Sequence, residues 1–476
     1  MSFFWAGFEK RAKLRPETEL APQQVRVQKR LKEKPGVLVY HGLGSGKTLT
    51  SLAATQGEKP DVVLPASLRQ NYAKEVKKHT IGHKPNIMSY EKAVKTPPQG
   101  NTLVVDEAHM LGIPESQRTQ QMIENSKHYK KRILLTGTPI RNYPHEIGPL
   151  MTMARGDTKI PADPKAFDKA FIQEVMKSPG LMARLFHGAK PGVEYNIKNP
   201  ERFADLVKGY VDYHAPAKEN FPSVTRETIQ VPMNKEQMKY YDFVLNKAGP
   251  GLRYKIRQGL PPSKQENKSL SAFLTGPRQI SNTTAGFGGK EVSPKIQRAL
   301  EEFKARMAKD PNFKAVVYSN YLGAGVKEYA KHLSSMGVPH AVFEGSLNDA
   351  KRKQAVEDYN AGKTKALLIS GAGAQGLDLK GTKLMQLLEP HWNTARLGQA
   401  EGRGVRFMSH AHLPPEERNV HVQKFHSTVP KTLMQKVFRR KADLGVDEYL
   451  DMLSAQKDRL NNQFLEILRE QGGKAV

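Results

Sequence analysis

The stretch HGLGSGKTLTS, His41 to Ser51, carries the residue types that hold a phosphate. GVLVY (Gly36 to Tyr40) before it reads as a short buried strand, and TLTSLAATQ after it reads as a helix. Glycines between a strand and a helix let the backbone turn its N–H groups around an anion, and the helix N-terminus adds its positive dipole end. On this reading Gly44, Ser45 and Gly46 wrap the phosphates, Lys47 reaches the β- and γ-phosphates of ATP, and the Thr48 hydroxyl sits on Mg²⁺. His41 stands where the usual GxxxxGK[ST] pattern has its first glycine, so the match is to the shorter GxGKT core.

A second cluster is TLVVDEAH, Thr102 to His109. Acids at the carboxyl end of a buried strand point into the crevice where open α/β sheets bind ligands. Asp106 would hold the Mg²⁺ through water, and Glu107 would orient and deprotonate the attacking water. His109 either couples this strand end to its surroundings or caps a turn.

Elements of one kind must position both clusters. Apolar strand-like runs recur between helix-like runs at GVLVYH, DVVLPA (Asp61), TLVVDE (Thr102) and RILLTG (Arg132). They recur again at KAVVYS (Lys314), HAVFEG (His340), KALLIS (Lys365), KLMQLLE (Lys383) and NVHVQKF (Asn419). Short apolar strands spaced by helices predict parallel, doubly wound sheets, hence an α/β fold in two halves. Residues 1–18 form an N-terminal segment, 19–150 the first lobe and 291–476 the second lobe with a closing helix. Between the lobes, 151–290 reads as a helical, irregular linking region whose basic stretch 249–269, rich in Pro and Gly, is expected as an exposed loop.

Composition narrows the partners. Lys and Arg number 75 against 47 Asp and Glu in 476 residues, a net charge of +28, which suits a polyanion and most simply a nucleic acid. There is no cysteine, so disulfides and Cys-ligated zinc are excluded, in keeping with a reducing, intracellular setting. No apolar run approaches the roughly 20 residues of a membrane span. The aromatics-first N-terminus, with Phe3, Phe4, Trp5 and Phe8, has the wrong order for a secretory signal. It reads as packing onto the body or as a docking helix.

GLGSGKT, DEAH and LLTGTPIRN (Leu134 to Asn142), in that order, resemble the superfamily 2 helicase and translocase ATPases. TGTP, with Thr136 and Thr138 as coupling candidates, is similar to the Swi/Snf-type duplex-DNA translocases and argues against an RNA helicase. LAPQQ resembles the segment whose glutamine reads adenine, which makes Gln24 the candidate beside Gln23. VVLPASLRQNYAKEV and IMSYEKA resemble the DNA-tracking motifs. They imply backbone contacts from Ser67, Arg69, Ser89 and Tyr90, with Ser319 in the stretch Tyr318 to Tyr321.

In the second half, PRQISN (Pro277 to Asn282) and SGAGAQGLDL (Ser370 to Leu379) are similar to family motifs, the latter placing Gly376 and Asp378 at the ATP-side turn. EPHWNTARLGQAEGRGVR (Glu389 to Arg406) keeps Trp392 as a DNA contact, Gln399 as a coupling residue, and Arg403 and Arg406; Thr394 replaces the usual proline. Two arginines three apart lie on one helix face, and such guanidinium forks on a γ-phosphate can supply about 10³–10⁵ in rate. FMSHAHLPPEERNVHVQKF (Phe407 to Phe425) resembles the nucleoside triphosphatase I kind of ATPase of large DNA viruses.

The resemblance implies two tandem RecA-like lobes with ATP and Mg²⁺ between them, and DNA as a sequence-independent partner. A replication or transcription complex in a cytoplasmic or nucleoid setting is the further implication. Translocation, strand separation, action on RNA and a nucleotide-gated release switch all remain open at this point.

Overall fold

A computed structural model describes residues 13–42, 44–215, 221–371, 377–391 and 409–473. The chain forms two compact units. One comprises described residues within 1–173, 195–217 and 459–476, and the other those within 174–194 and 218–458.

The first unit is built on a six-stranded sheet of β1 (Gly36–His41), β2 (Asp61–Leu64), β3 (Asn86–Ser89), β4 (Thr102–Asp106), β5 (Lys131–Thr136) and β6 (Val211–His214). The spatial order is β6-β1-β5-β4-β2-β3, and every pairing is parallel. Parallel strands need crossovers, and helices on both faces supply them. Alternate residues of one strand therefore enter different cores. Leu38, Leu103, Val105 and Leu134 join one cluster, while Val37, Val39, Val104 and Ile133 join the other. That double burial is why these strands read as unbroken apolar runs rather than alternating ones.

Three helices flank the strands that carry the phosphate-loop and acid motifs: α1 (Pro22–Glu33), α2 (Lys47–Ala54) and α3 (Arg69–His79). Pro22 occupies the first turn of α1, where its missing N–H costs nothing. The first unit's core also takes in Leu460, Phe464 and Leu468.

The second unit carries its own six-stranded sheet of β7 (Ser223–Pro232), β8 (Ala315–Ser319), β9 (His340–Phe343), β10 (Ala366–Ser370), β11 (Leu384–Leu387) and β12 (Asn419–Thr428). The order is β7-β12-β11-β8-β10-β9, again all parallel. Val317 and Leu368 face one core, and Val316, Leu367 and Ile369 face the other.

The stretch 151–290 differs from its reading as a helical, irregular link. It supplies an edge strand to each sheet, β6 and β7. Residues 249–269 are largely helical, in Pro250–Gln258 and the start of Lys264–Asn282. Pro250 in a first turn and the Ser263–Glu266 capping box start those helices, and Lys255, 1% exposed, is ion-paired to Glu266. A basic, Pro- and Gly-bearing segment was thus drawn into structure by caps and a buried ion pair.

Candidate active site

Because the first sheet is parallel, its strands end at one edge. The connections there include Gly42 and Gly44 to Gly46 after β1, Pro65 to Leu68 after β2, Tyr90 after β3, Glu107 to His109 after β4 and Gly137 to Pro139 after β5. Adjacent parallel strands cannot be joined by tight hairpins, so each carries its chemistry out on a connection at this edge.

Gly44 and Gly46 both have positive φ, 77° and 76°, and Gly46 caps the N-terminus of α2. The Lys47 ammonium donates to the carbonyls of His41 and Gly42, each at 3.2 Å, so it folds back into the loop. Burial pushes its pKa below the ordinary lysine value, while Glu107 and then Asp106 pull the other way. Ser45 Oγ donates to the Gly42 carbonyl at 2.7 Å. Gln23 and Gln24 reach the loop from α1, donating to the carbonyls of Ser45 and Gly46 at 3.3 Å. Gln24 Oε1 also accepts the Ala21 N–H, so its amide is spent on the helix start and the loop.

At the end of β4, Asp106 is 9% exposed and accepts the Glu107 N–H at 2.9 Å. Burial raises the pKa of both carboxyls, and the charge of Asp106 adds to the rise at Glu107. Lys47 and Arg141 oppose that rise at Glu107. Glu107 itself is left-handed, φ 52° and ψ 45°, a backbone region that costs a non-glycine residue about 1 kcal/mol or more. The Tyr90 hydroxyl holds that turn, donating to the carbonyls of Asp106 at 2.7 Å and Glu107 at 3.2 Å.

His109 Nδ1 lies 3.0 Å from Thr136 Oγ1 and 3.2 Å from the Glu107 carboxylate. Burial first, then the charges of Arg141 and Lys47, push its pKa down to about 4, so the ring is neutral at pH 7. Thr136 Oγ1 accepts the Thr138 N–H at 3.0 Å, which ties the β5 turn to the acid turn. Gly137 backs onto Lys47: a Cβ there would stand 3.9 Å from Nζ and 3.4 Å from the His41 carbonyl. One edge therefore gathers Lys47, Asp106, Glu107, His109 and Thr136.

The remaining first-unit candidates divide. Ser67 and Arg69 are exposed just beyond β2. Ser89 caps the short helix after β3, accepting the Lys92 N–H at 3.3 Å. Tyr90, expected at a nucleic-acid backbone, is 1% exposed and turned inward.

In the second unit Ser319 is likewise interior, at 0% exposure, donating to the Glu389 carboxylate. Glu389 also accepts from Asn282 Nδ2 at 2.7 Å, and the buried Lys295 ammonium bonds Asn282 Oδ1 at 2.8 Å and Asp447 at 2.6 Å. Asp378 is exposed, and its carbonyl accepts from Asn360 Nδ2. Gly376, Trp392, Gln399, Arg403 and Arg406 lie outside the described residues.

Sequence reasoning passed over Arg141, whose charge acts on both Glu107 and His109. It also passed over the buried carboxylate of Asp212, 2.7 Å from His41 Nε2. The TGTPIRN motif contained the first; nothing in the short run VDYH marked the second.

The SNF2-related domain family matches residues 86–285, and the helicase conserved C-terminal domain family matches residues 295–408. The chain thus carries a SNF2-related domain followed by a helicase C-terminal domain, the pair of a superfamily 2 helicase-like ATPase. Its relatives include a protein of Acanthamoeba polyphaga mimivirus with the provisional name ATP-dependent RNA helicase L538. That protein is 29% identical over 92% of this chain and 94% of its own. The termination factor NPH-I homolog of African swine fever virus (isolate Tick/South Africa/Pretoriuskop Pr4/1996) is 24% identical over 91% of this chain and 75% of its own. Among solved structures, a Sulfolobus solfataricus SWI2/SNF2 ATPase core in complex with dsDNA covers 96% of this chain and 98% of its own, at 18% identity and a TM-score of 0.34.

Two parallel six-stranded sheets are what tandem RecA-like lobes require. The first family match contains the acid turn and the β5 turn of this ATPase, and the 42–46 loop precedes it. Among the described residues no helix is long and apolar enough to cross a membrane. No three His, Cys, Asp or Glu side chains gather there as a metal group. A nucleotide-borne Mg²⁺ needs no such group, because one or two carboxylates and the phosphates hold it. Asp106, its carboxylate answered by one backbone N–H, and the half-buried Thr48 hydroxyl are hard oxygen donors that fit.

Proposed function

We propose that this ATPase is a DNA-stimulated motor that binds ATP at the 41–51 loop and uses its hydrolysis to move along DNA. The convergence of Lys47, Asp106 and Glu107 at one sheet edge carries the reading, since each feels the others' charge. On this proposal the N–H groups of the glycine turn and of the first turn of α2 take the phosphates. Lys47 leaves the His41 and Gly42 carbonyls for the β- and γ-phosphates. Asp106 and Thr48 would hold Mg²⁺, which would offset phosphate charge. Glu107, held in its turn by Tyr90, orients the attacking water and takes its proton. Arg403 and Arg406 stand as the γ-phosphate arginines on the strength of their motif. Ser67 and Arg69, exposed at the same edge, contact the nucleic-acid backbone.

The net charge of +28 supports a grip made mostly of phosphate contacts, hence sequence-independent and salt-sensitive. An intracellular, cytoplasmic setting, where such a polymer is met, is part of this proposal. RNA is the second reading, favoured by the name that the mimivirus relative carries.

The test is ATP turnover without nucleic acid, then with duplex DNA, single-stranded DNA and RNA, at two salt concentrations. Stimulation by DNA that weakens at the higher salt supports the proposal. Stimulation by RNA alone replaces it with the second reading, and no stimulation by any polymer overturns both.

A further inference from the structure

Behind the phosphate loop sits a buried ionic knot. The first turn of α1 holds the loop through Gln23 and Gln24, at the carbonyls of Ser45 and Gly46. Farther along the same face, Arg26 and Arg30, four apart, both reach Asp212 of β6. Arg26 makes two contacts, Nε to Oδ2 at 2.6 Å and Nη2 to Oδ1 at 2.9 Å, and Arg30 Nε lies 2.9 Å from Oδ2. The remaining reach of Asp212 goes to the loop itself: Oδ1 is 2.7 Å from Nε2 of His41, the last residue of β1. That residue's carbonyl receives the Lys47 ammonium. Asp212 and His41 are both 0% exposed.

The protonation of the knot follows from its chemistry. Burial works against the Asp212 charge, but the hydrogen bonds from His41, Arg26 and Arg30 outweigh it and hold the carboxyl below its ordinary range. An ionised carboxylate only accepts, so His41 Nε2 carries the proton. Burial keeps the imidazole neutral, which leaves its buried Nδ1 with no hydrogen-bond partner. A glycine at position 41, as in the usual pattern, could not make this link.

We infer that Asp212 is a positioning residue for nucleotide binding, acting through His41 on one side and through α1, with Gln23 and Gln24, on the other to hold Gly42, Ser45 and Gly46 in place. The inference rests on the proposal that this loop binds ATP. Asp212 touches no nucleotide. It sets where the loop's N–H groups and Lys47 start from, and its effect falls on affinity rather than on the chemical step.

The test measures KM for ATP, kcat, equilibrium binding of a fluorescent ATP analogue and thermal melting in the full chain. It compares Asp212→Asn, His41→Leu, the double variant and Lys47→Ala. Asp212→Asn is expected to raise KM and the analogue's Kd about ten- to a hundredfold, the scale of a binding group misplaced by about 1 Å. Its kcat at saturating ATP should stay within about threefold of wild type. His41→Leu leaves the arginine pairs on Asp212 intact and should reproduce the effect. The double variant should be no worse than the larger single change, because the two residues act as one unit.

A folded Asp212→Asn with wild-type KM overturns the inference, as does a fall in kcat at unchanged KM or an additive double variant. Should Asp212→Asn not fold, His41→Leu decides alone: a raised KM supports the inference and a wild-type KM overturns it. Wild-type affinity in Lys47→Ala would remove the loop reading and this inference with it. Loss of binding in Lys47→Ala beside a normal Asp212→Asn removes this inference only.

Discussion

The hydroxyl of Tyr90 donates to the main-chain carbonyl of Asp106 across 2.7 Å, so a residue just beyond β3 fixes the turn that aims Glu107. Tyr90→Phe keeps the buried ring and removes that donor. It should cost about 1 kcal/mol of stability, the worth of one buried hydrogen bond. It should also lower kcat severalfold with little change in KM for ATP, because Glu107 is freed to leave its left-handed turn. Thermal melting and steady-state turnover check both halves, and an unchanged kcat would assign Tyr90 to packing alone.

Lys47→Ala should lower ATP turnover about a hundredfold or more, the scale on which a charge-stabilising donor acts. Its melting temperature should hold or rise, because burial of the Lys47 charge in the free protein outweighs the pull of the Glu107 and Asp106 charges on it. A variant that loses activity by unfolding would show the opposite melting shift.

The pH profile follows from Glu107. Burial and the Asp106 charge raise its pKa, and a general base works only when ionised. The acid limb of kcat/KM, which reports the free protein, should therefore lie above the ordinary glutamate value of about 4.3. His109, at about 4, titrates below the midpoint of that limb. Arg141→Gln removes one of the charges that favour ionised Glu107, so the limb should move to higher pH. Glu107→Gln should bind ATP, turn over slowly and lose the limb. A limb unmoved by Arg141→Gln in the kcat/KM profile would detach Arg141 from the site.

Gly46→Ala introduces a Cβ at φ 76° and 2.8 Å from Gln24 Nε2. The left-handed backbone alone costs about 1–2 kcal/mol. Gly57, also at φ 76°, has nothing within 4 Å. Gly57→Ala should then lose stability only, whereas Gly46→Ala should lose stability and ATP affinity together. Melting and analogue binding of the pair separate strain from contact.

Much of the fold was legible because doubly buried strands write themselves as apolar runs: GVLVYH, TLVVDE and KALLIS each became a central strand. The edge strand HAVFEG was legible too, but the edge strands β6 and β7 were not. VDYH is short and half polar, and SVTRETIQVP is largely exposed, since an edge strand meets the core on little of its surface. Residues 249–269 carried their helix signals, Pro250 and Ser263-x-x-Glu266, beneath a loop-like composition. In the site, residue types and spacing pointed to Lys47, Asp106 and Glu107, but a sequence does not say which way a side chain faces. Tyr90 and Ser319 share motifs with candidate backbone contacts and yet turn into the interior. Asp212 lies 171 residues from His41 in sequence, so only the parallel register of β6 on β1, which pairs Asp212 with Val39, brings the two together.

The most direct test of the central claim is displacement of a third strand from a DNA triplex, with ATP, without it, and with Lys47→Ala. A motor on duplex DNA is expected to strip the third strand only when ATP is present and Lys47 intact. DNA-stimulated ATP hydrolysis that leaves the triplex in place would contradict a motor and leave a nucleotide-gated switch.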